Sequence, residues 1–213
     1  MTFTSSSISR RSRWLAPLLL STTLLGGALL SGCAGLVVGG AVMGGLMATD
    51  RRTSGAQIED QAIELKAINR VQTTLGERGH VSVTSYNRMV LLTGEVPTEA
   101  DRAAVEQAVT QIENVRAIVN ELAVSTNSTI GSRSNDAVLT SKVKASFLDA
   151  KDLQSNAFKV LTERGQVFLM GRVTEREARR AGDVARSISG VLKVVRVFEV
   201  ISEAELAELQ PAK

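Results

Sequence analysis

The residue whose type and position could do chemistry most directly is Cys33, the only cysteine of the 213 residues. It ends the run Leu30-Ser31-Gly32-Cys33, which follows an apolar stretch and three arginines, Arg10, Arg11 and Arg13. This order of features is typical of a secretory signal peptide that ends in a lipobox. A thiol is required there because the sulfur becomes thioether-linked to a diacylglyceryl group. We therefore predict a signal peptide over residues 1–32 and a mature chain attached to a membrane through lipidated Cys33.

A membrane-spanning helix with an ordinary cysteine is the alternative explanation of this stretch. Pro17 and Gly26-Gly27 interrupt the apolar residues, and no basic residue follows until Arg51-Arg52. A spanning helix needs about 20 apolar residues and charged flanks, so the interruptions favour the lipobox. Residues 33–55 are predicted to be the lipidated cysteine and a glycine-rich tether, although small-xxx-small spacing could also pack helices in lipid.

Composition and motifs exclude several classes of protein. His80 is the only histidine, which excludes a multi-histidine metal site, and we expect it on the surface between a helix and a strand. No carboxylate pair or phosphate-binding loop stands out, so we predict no catalytic residue, no cofactor and no enzyme. Without the three arginines of the signal peptide, 22 basic residues balance 22 acidic ones, so nucleic-acid binding is not predicted.

The chain after the tether contains an internal repeat. Met89–Val96 matches Val167–Val173, and Ile112–Val115 matches Ile188–Val191, at offsets of 75 to 77 residues. A polar Ser/Thr/Asn/Gly run, Ser125–Asn135, separates the copies. Two copies of one module explain this pattern.

Each copy shows the periodicity of a helix, two strands, a second helix and a third strand. We predict an α+β fold of two tandem modules, each a three-stranded mixed sheet with two helices on one face (α-β-β-α-β). Modules of this size have marginal cores alone, so we expect them to pack together. The predicted boundaries are 56–126 for the first module, 127–133 for a linker, 134–201 for the second module and 202–213 for a C-terminal tail.

Two glycines occupy equivalent positions late in the second strand of each copy. We predict that Gly94 and Gly171 are structural, because a side chain there would crowd the helix about to cross over. In the first helix of copy one, Ile68, Val71 and Leu75 are predicted to share the buried face.

The paired modules resemble BON domains. The resemblance rests on the glycine that closes the second strand, on Val191 opening the third, and on Asn135-Asp136, Val167–Gly171 and Val173–Ala178. These segments are similar to dual-BON outer-membrane lipoproteins, over nearly all of the mature chain. The resemblance implies a non-enzymatic protein on the periplasmic face of the outer membrane. It also implies binding of anionic phospholipid, support of envelope integrity, and a connection to outer-membrane protein assembly machinery.

The two modules differ in charge. Residues 56–126 carry a net charge of −4 and residues 134–201 a net charge of +4. Each basic residue near an anionic membrane contributes about 1 kcal/mol of attraction, so the second module is predicted to face lipid. A dipolar pair of modules that attract each other is the alternative, and the two explanations are compatible.

The first helix of the second module is the predicted lipid contact. Its outward face carries Val138 and Leu148, flanked by Lys142 and Lys144, as in an interfacial helix. Burial of this face against the first module is the alternative. The equivalent outward face of the first helix in copy one is predicted to be polar. Its one apolar residue is Ile63, at the start of that face.

Two functions remain open from the sequence. The first is a lipid-anchored periplasmic protein that binds phosphatidylglycerol or cardiolipin through its second module and supports outer-membrane integrity. The second is a protein-interaction scaffold for an envelope assembly machine or a cell-wall component, which touches lipid only through its anchor.

Overall fold

The computed structural model describes residues 50–209. The predictions for the signal peptide, for Cys33 and for most of the tether therefore lie outside the described residues. No helix within residues 50–209 is long and apolar enough to cross a lipid bilayer.

The first module is a helix and an antiparallel hairpin, followed by a second helix that leads to a strand parallel to the second strand of the hairpin. Its elements are α1 (Ser54–Leu75), β1 (His80–Tyr86), β2 (Met89–Val96), α2 (Glu99–Thr110), β3 (Ala117–Asn120) and β4 (Ala123–Val124). β1 pairs antiparallel with β2, whereas β3 and β4 both pair parallel with β2. The third strand is divided because the Asn120 side chain accepts a hydrogen bond from the Leu122 N–H at 3.1 Å, which removes that donor from the ladder.

The second module repeats this order with an undivided third strand. Its elements are α3 (Ile130–Asp149), a 3-10 turn (Ser155–Ala157), β5 (Lys159–Glu163), β6 (Gln166–Val173), α4 (Glu175–Arg186) and β7 (Lys193–Val200), followed by α5 (Glu203–Leu209). β6 lies between antiparallel β5 and parallel β7. The predicted α+β fold with two mixed sheets is confirmed.

Three predicted boundaries differ from the helices observed. α1 begins at Ser54, inside the predicted tether 33–55; α3 begins at Ile130, inside the predicted linker 127–133; and α5 lies in the predicted tail 202–213. α1 and α3 begin earlier than predicted because Thr53 and Thr129 cap them. Each threonine side chain accepts a hydrogen bond from a backbone N–H in the first turn of its helix. Their polar first turns resembled loop sequence.

Each sheet carries its helices on one face. Val90 and Leu92 of β2 belong to a core shared with α1 and α2, and Val167 and Leu169 of β6 belong to the corresponding core of the second module. In each strand these residues alternate with others that point to the opposite face.

The opposite faces of the two sheets meet in a third core. Tyr86 and Leu91 of the first module are buried against Phe168, Met170 and Val197 of the second. The modules therefore pack together as expected, and the two helical layers lie on opposite outer sides of the paired sheets. Burial on both faces explains why the central strands contain the uninterrupted apolar runs 89–92 and 167–170.

The buried face of α1 differs from the predicted one. Val71 and Leu75 are buried as predicted, together with Ile63 and Ala67, whereas Ile68 is 51% exposed. The prediction was wrong only for Ile68, because the stripe that faces the sheet continues from Val71 through Ala67 to Ile63.

A buried carboxylate holds the hairpin turn of each module. Asp60 accepts hydrogen bonds from the backbone N–H groups of Asn87 and Arg88, both at 2.7 Å, and Asp136 accepts from the equivalent turn residues 164–165 at 2.8 Å. Both residues of each turn have positive φ, as two-residue hairpin turns require. The two aspartates lie 76 residues apart, which is the offset of the internal repeat. Aligning the two copies could therefore have identified both aspartates from the sequence.

Candidate functional site

The four side chains predicted to contact lipid lie on α3. The residues of this helix that face the sheet are Asp136, Leu139, Val143 and Phe147. At 100° per residue, Val138 and Leu148 fall on the opposite side, with Lys142 and Lys144 on its two flanks. The rise of 1.5 Å per residue separates the two apolar side chains by about 15 Å along the helix.

This outward face is open to solvent. Val138 is 52% exposed and Leu148 is 71% exposed, and both lysines are exposed. The alternative in which the first module buries this face is therefore wrong. The first module instead packs against the other face of the β5–β7 sheet.

A cleft of about 350 Å³ lies at the C-terminal end of this face. Lys144 and Leu148 line it together with the aromatic rings of Phe147 and Phe158. The rings meet edge to face with centroids 5.1 Å apart, so the cleft has a firm apolar wall. The rest of the lining is mixed, with Val160 beside the polar Ser155 and Asn156 and the carboxylate Asp50, which pairs with Arg52. A cationic group thus lies beside an aromatic wall in a cleft of mixed polarity.

The basic residues of the second module differ in how they are paired. Within residues 50–209, Lys142 and Lys144 form no ion pair, whereas the arginines of α4 pair with carboxylates. Arg176 pairs with Glu203 at 3.7 Å and Arg180 with Asp152 at 2.7 Å. No carboxylate among the described residues therefore competes with an external anion for the two lysines.

The first module also exposes apolar residues on its first helix, contrary to prediction. Ile58 is 67% exposed, Leu65 is 63% exposed, and Ile68 joins them, while the predicted outward residue Ile63 is fully buried. Exposed aliphatic side chains alone do not distinguish the two helices. Lys66 and Arg70 of α1 are exposed as well, and within residues 50–209 they form no ion pair, so what distinguishes the two helices is the opposite net charge of their modules.

A second polar cluster lies between the modules. His80 opens β1 opposite Glu95 of β2, and Glu163 ends β5. Burial, followed by the charges of Glu95 and Asp136, raises the pKa of Glu163 to about 7. Burial, followed by the charge of Arg133, lowers the pKa of His80, against the opposing charge of Glu95. The expected surface position of His80 holds only in part, since 29% of its side chain is exposed.

A family model described as BON domain matches residues 59–126 and 135–202. The chain belongs to the BON domain family. Both matched ranges fall within the two structural modules, which are accordingly tandem BON domains.

Curated relatives agree with this assignment. The outer membrane lipoprotein DolP of Haemophilus influenzae is 38% identical over 191 residues, covering 88% of this chain and 98% of that protein. A 21 kDa hemolysin of Actinobacillus pleuropneumoniae is 30% identical over 154 residues, covering 71% and 79%. The predicted class, an outer-membrane lipoprotein with two BON domains, is confirmed, and the similarity supports no catalytic family.

Solved structures add little to this assignment. The structural protein CdsD of the type III secretion system of Chlamydia trachomatis aligns over 68% of this chain and 98% of its own, with 10% identity and a TM-score of 0.28. That TM-score is too low to support any argument about fold or function.

Proposed function

We propose that this lipoprotein binds anionic phospholipid through the outward face of α3 and thereby supports outer-membrane integrity. The observation that carries the proposal is that exposed Leu148 and unpaired Lys144 lie together at a cleft walled by Phe147 and Phe158. The cation attracts a headgroup phosphate, while the aliphatic side chain enters the boundary between headgroups and acyl chains. Phosphatidylglycerol and cardiolipin are the proposed lipids.

The arrangement of layers favours one lipid-facing side. The helices of the two modules cover opposite outer sides of the paired sheets, so a flat membrane can meet only one helical layer. The second module has a net charge of +4 and the first a net charge of −4. An anionic surface therefore attracts the side that carries α3 and repels the side that carries α1.

Vesicle binding by a fragment of residues 50–213 tests the proposal. Binding should rise with the phosphatidylglycerol or cardiolipin content and fall with salt, because salt screens surface charge.

The double substitution Lys142→Glu with Lys144→Glu should reduce affinity for these vesicles at least tenfold. Each basic residue near an anionic surface contributes about 1 kcal/mol of attraction, and the two substitutions together change the local charge by four units. Leu148→Ser should weaken binding without changing its salt dependence, and Val138→Trp should strengthen it by adding an interfacial aromatic ring.

The first helix supplies matched controls. Lys66→Glu with Arg70→Glu, and Leu65→Ser, make the same changes on α1 and should leave vesicle binding unchanged. Equal losses from the α1 and α3 variants would contradict the assignment to α3.

A protein-interaction scaffold is the second candidate. The exposed Ile58, Leu65 and Ile68 of α1 favour it, because they offer an apolar strip on the acidic module. Outer-membrane protein assembly machinery or a cell-wall component would be the partner. A fragment that binds vesicles equally with and without anionic lipid, or not at all, would support this candidate.

The anchor is proposed to be Cys33. Cys33→Ser should abolish acylation and leave an uncleaved precursor held by its signal peptide. Palmitate labelling followed by membrane fractionation measures both effects, and labelling that persists in the variant would refute the lipobox. Ala34 differs from the aspartate that retains lipoproteins in the inner membrane, so the acylated chain is expected in the outer membrane.

A further inference from the structure

Three potential metal ligands from both modules converge at one end of the module interface. His80 and Glu95 are register partners in the β1–β2 hairpin, and Glu163 comes from β5 of the other module. One ligand atom from each of the three side chains lies within 4.8 Å of the other two. The contact between His80 Nδ1 and Glu95 Oε2 is 3.6 Å.

Two atoms of this cluster are buried without a hydrogen-bond partner among the described residues. They are His80 Nδ1 and Glu95 Oε1. The Glu95 side chain is completely buried, and its other oxygen accepts a hydrogen bond from the Ser128 N–H at 3.2 Å. The nearest guanidinium nitrogen, on Arg164, is 4.0 Å from Oε1, beyond hydrogen-bond distance. A buried carboxylate oxygen left in this state costs free energy unless something binds it.

We propose that His80, Glu95 and Glu163 bind a divalent transition-metal ion of the Zn²⁺ type that joins the two BON modules. One imidazole nitrogen and two carboxylate oxygens are a donor set that Zn²⁺ accepts, with a fourth position left for water. An imidazole ligand disfavours Ca²⁺ and Mg²⁺, which prefer oxygen donors alone. Tetrahedral bonds of about 2.0–2.1 Å separate neighbouring ligand atoms by roughly 3.4 Å, so the His80–Glu95 pair needs little adjustment.

The surroundings of the cluster provide access and set the charge balance. His80 and Glu163 line an open cleft of about 400 Å³, through which an ion can enter. Glu95, Glu163 and Asp136 supply three carboxylates, and Arg133 and Arg164 supply two guanidinium groups. Since the two arginines oppose a cation, their charge lowers its affinity but does not outweigh the carboxylates.

The single histidine makes the test specific. The full chain, purified in detergent without a polyhistidine tag, is titrated with ZnCl₂ or CoCl₂ while its melting temperature and imidazole NMR signals are recorded. Zn²⁺ at 100 times its Kd should raise the melting temperature by about 5–10 °C and shift the imidazole signals, which all come from His80. Co²⁺ should produce the visible absorption of a four-coordinate site.

Variants separate a metal site from a general effect of cations. His80→Gln and Glu163→Gln should each reduce affinity for Zn²⁺ at least tenfold. Glu163→Gln removes a like charge without removing packing, so this variant should fold at least as stably as the parent chain without metal. Glu113→Gln, an exposed control, should respond to Zn²⁺ like the parent chain. Unchanged imidazole signals in the presence of Zn²⁺, or an unaltered response of Glu163→Gln, would overturn the proposal.

Discussion

Replacing Arg51 with methionine is expected to destabilise the chain by about 3–5 kcal/mol, because it leaves a buried carboxylate without its partner. The Arg51 guanidinium donates two hydrogen bonds of 2.8 Å to Glu177, and their side chains are only 4% and 5% exposed. It also donates to the Arg172 carbonyl at 2.8 Å and to Gln154 at 3.1 Å. This pair joins the end of the tether to the second module.

Denaturant unfolding of Arg51→Met measures this effect. The double variant Arg51→Met with Glu177→Gln should recover much of the loss, because no charge then remains buried. Arg179→Met removes the arginine of an exposed pair with Glu175 and should change stability by less than about 1 kcal/mol. Equal effects of the two single variants would show that burial of the Arg51 pair has no energetic consequence.

The same pair makes stability depend on pH in a defined direction. Burial raises the pKa of Glu177, but the hydrogen bonds from Arg51 and from the Thr174 backbone outweigh it, so the pKa lies below its usual value. A lowered folded-state pKa contributes stability above the unfolded-state pKa of about 4.3, and the contribution is lost as pH falls through the folded-state pKa. The difference in stability between the parent chain and Arg51→Met should therefore shrink at acid pH.

Substituting valine for Gly94 is the second change with a large expected effect. Gly94 has φ +112°, which other residues rarely adopt, and an added Cβ would lie 2.0 Å from the His80 carbonyl oxygen. Strain and overlap together should cost on the order of 2–5 kcal/mol. At Gly171 an added Cβ would lie 2.3 Å from the Ala157 carbonyl oxygen, but the backbone conformation is one that other residues adopt. The same substitution there should therefore cost less stability than at Gly94.

Circular dichroism melts of Gly94→Val and Gly171→Val test whether the first variant loses more stability than the second. Gly131→Ala is the control, since an added Cβ there meets nothing closer than 3.8 Å. Unchanged melting of Gly94→Val would remove the structural role assigned to this glycine. In both modules the nearest atoms are backbone atoms of the neighbouring strand or the preceding turn, so the predicted crowding of the crossover helix was not the reason for glycine.

The sequence by itself determined the module and its repetition. Apolar periodicity and the paired glycines are local signals, and they sufficed to predict the α-β-β-α-β order and the α+β class. The same signals indicated the outward face of α3, because a helix of known phase has its opposite side fixed by geometry. For α1 they placed Val71 and Leu75 correctly but not Ile68, because two apolar stripes compete there and only contact with the sheet selects Ile63 over Ile68.

Only the tertiary structure decided which residues of the two modules meet. Arg51 and Glu177 lie 126 residues apart, and Glu163 reaches His80 and Glu95 from the other module. Periodicity describes a residue relative to its own helix or strand and carries no information about the partner of an outer sheet face. Those contacts arise from the packing of one sheet on the other, a property of side-chain shape and charge across the whole interface.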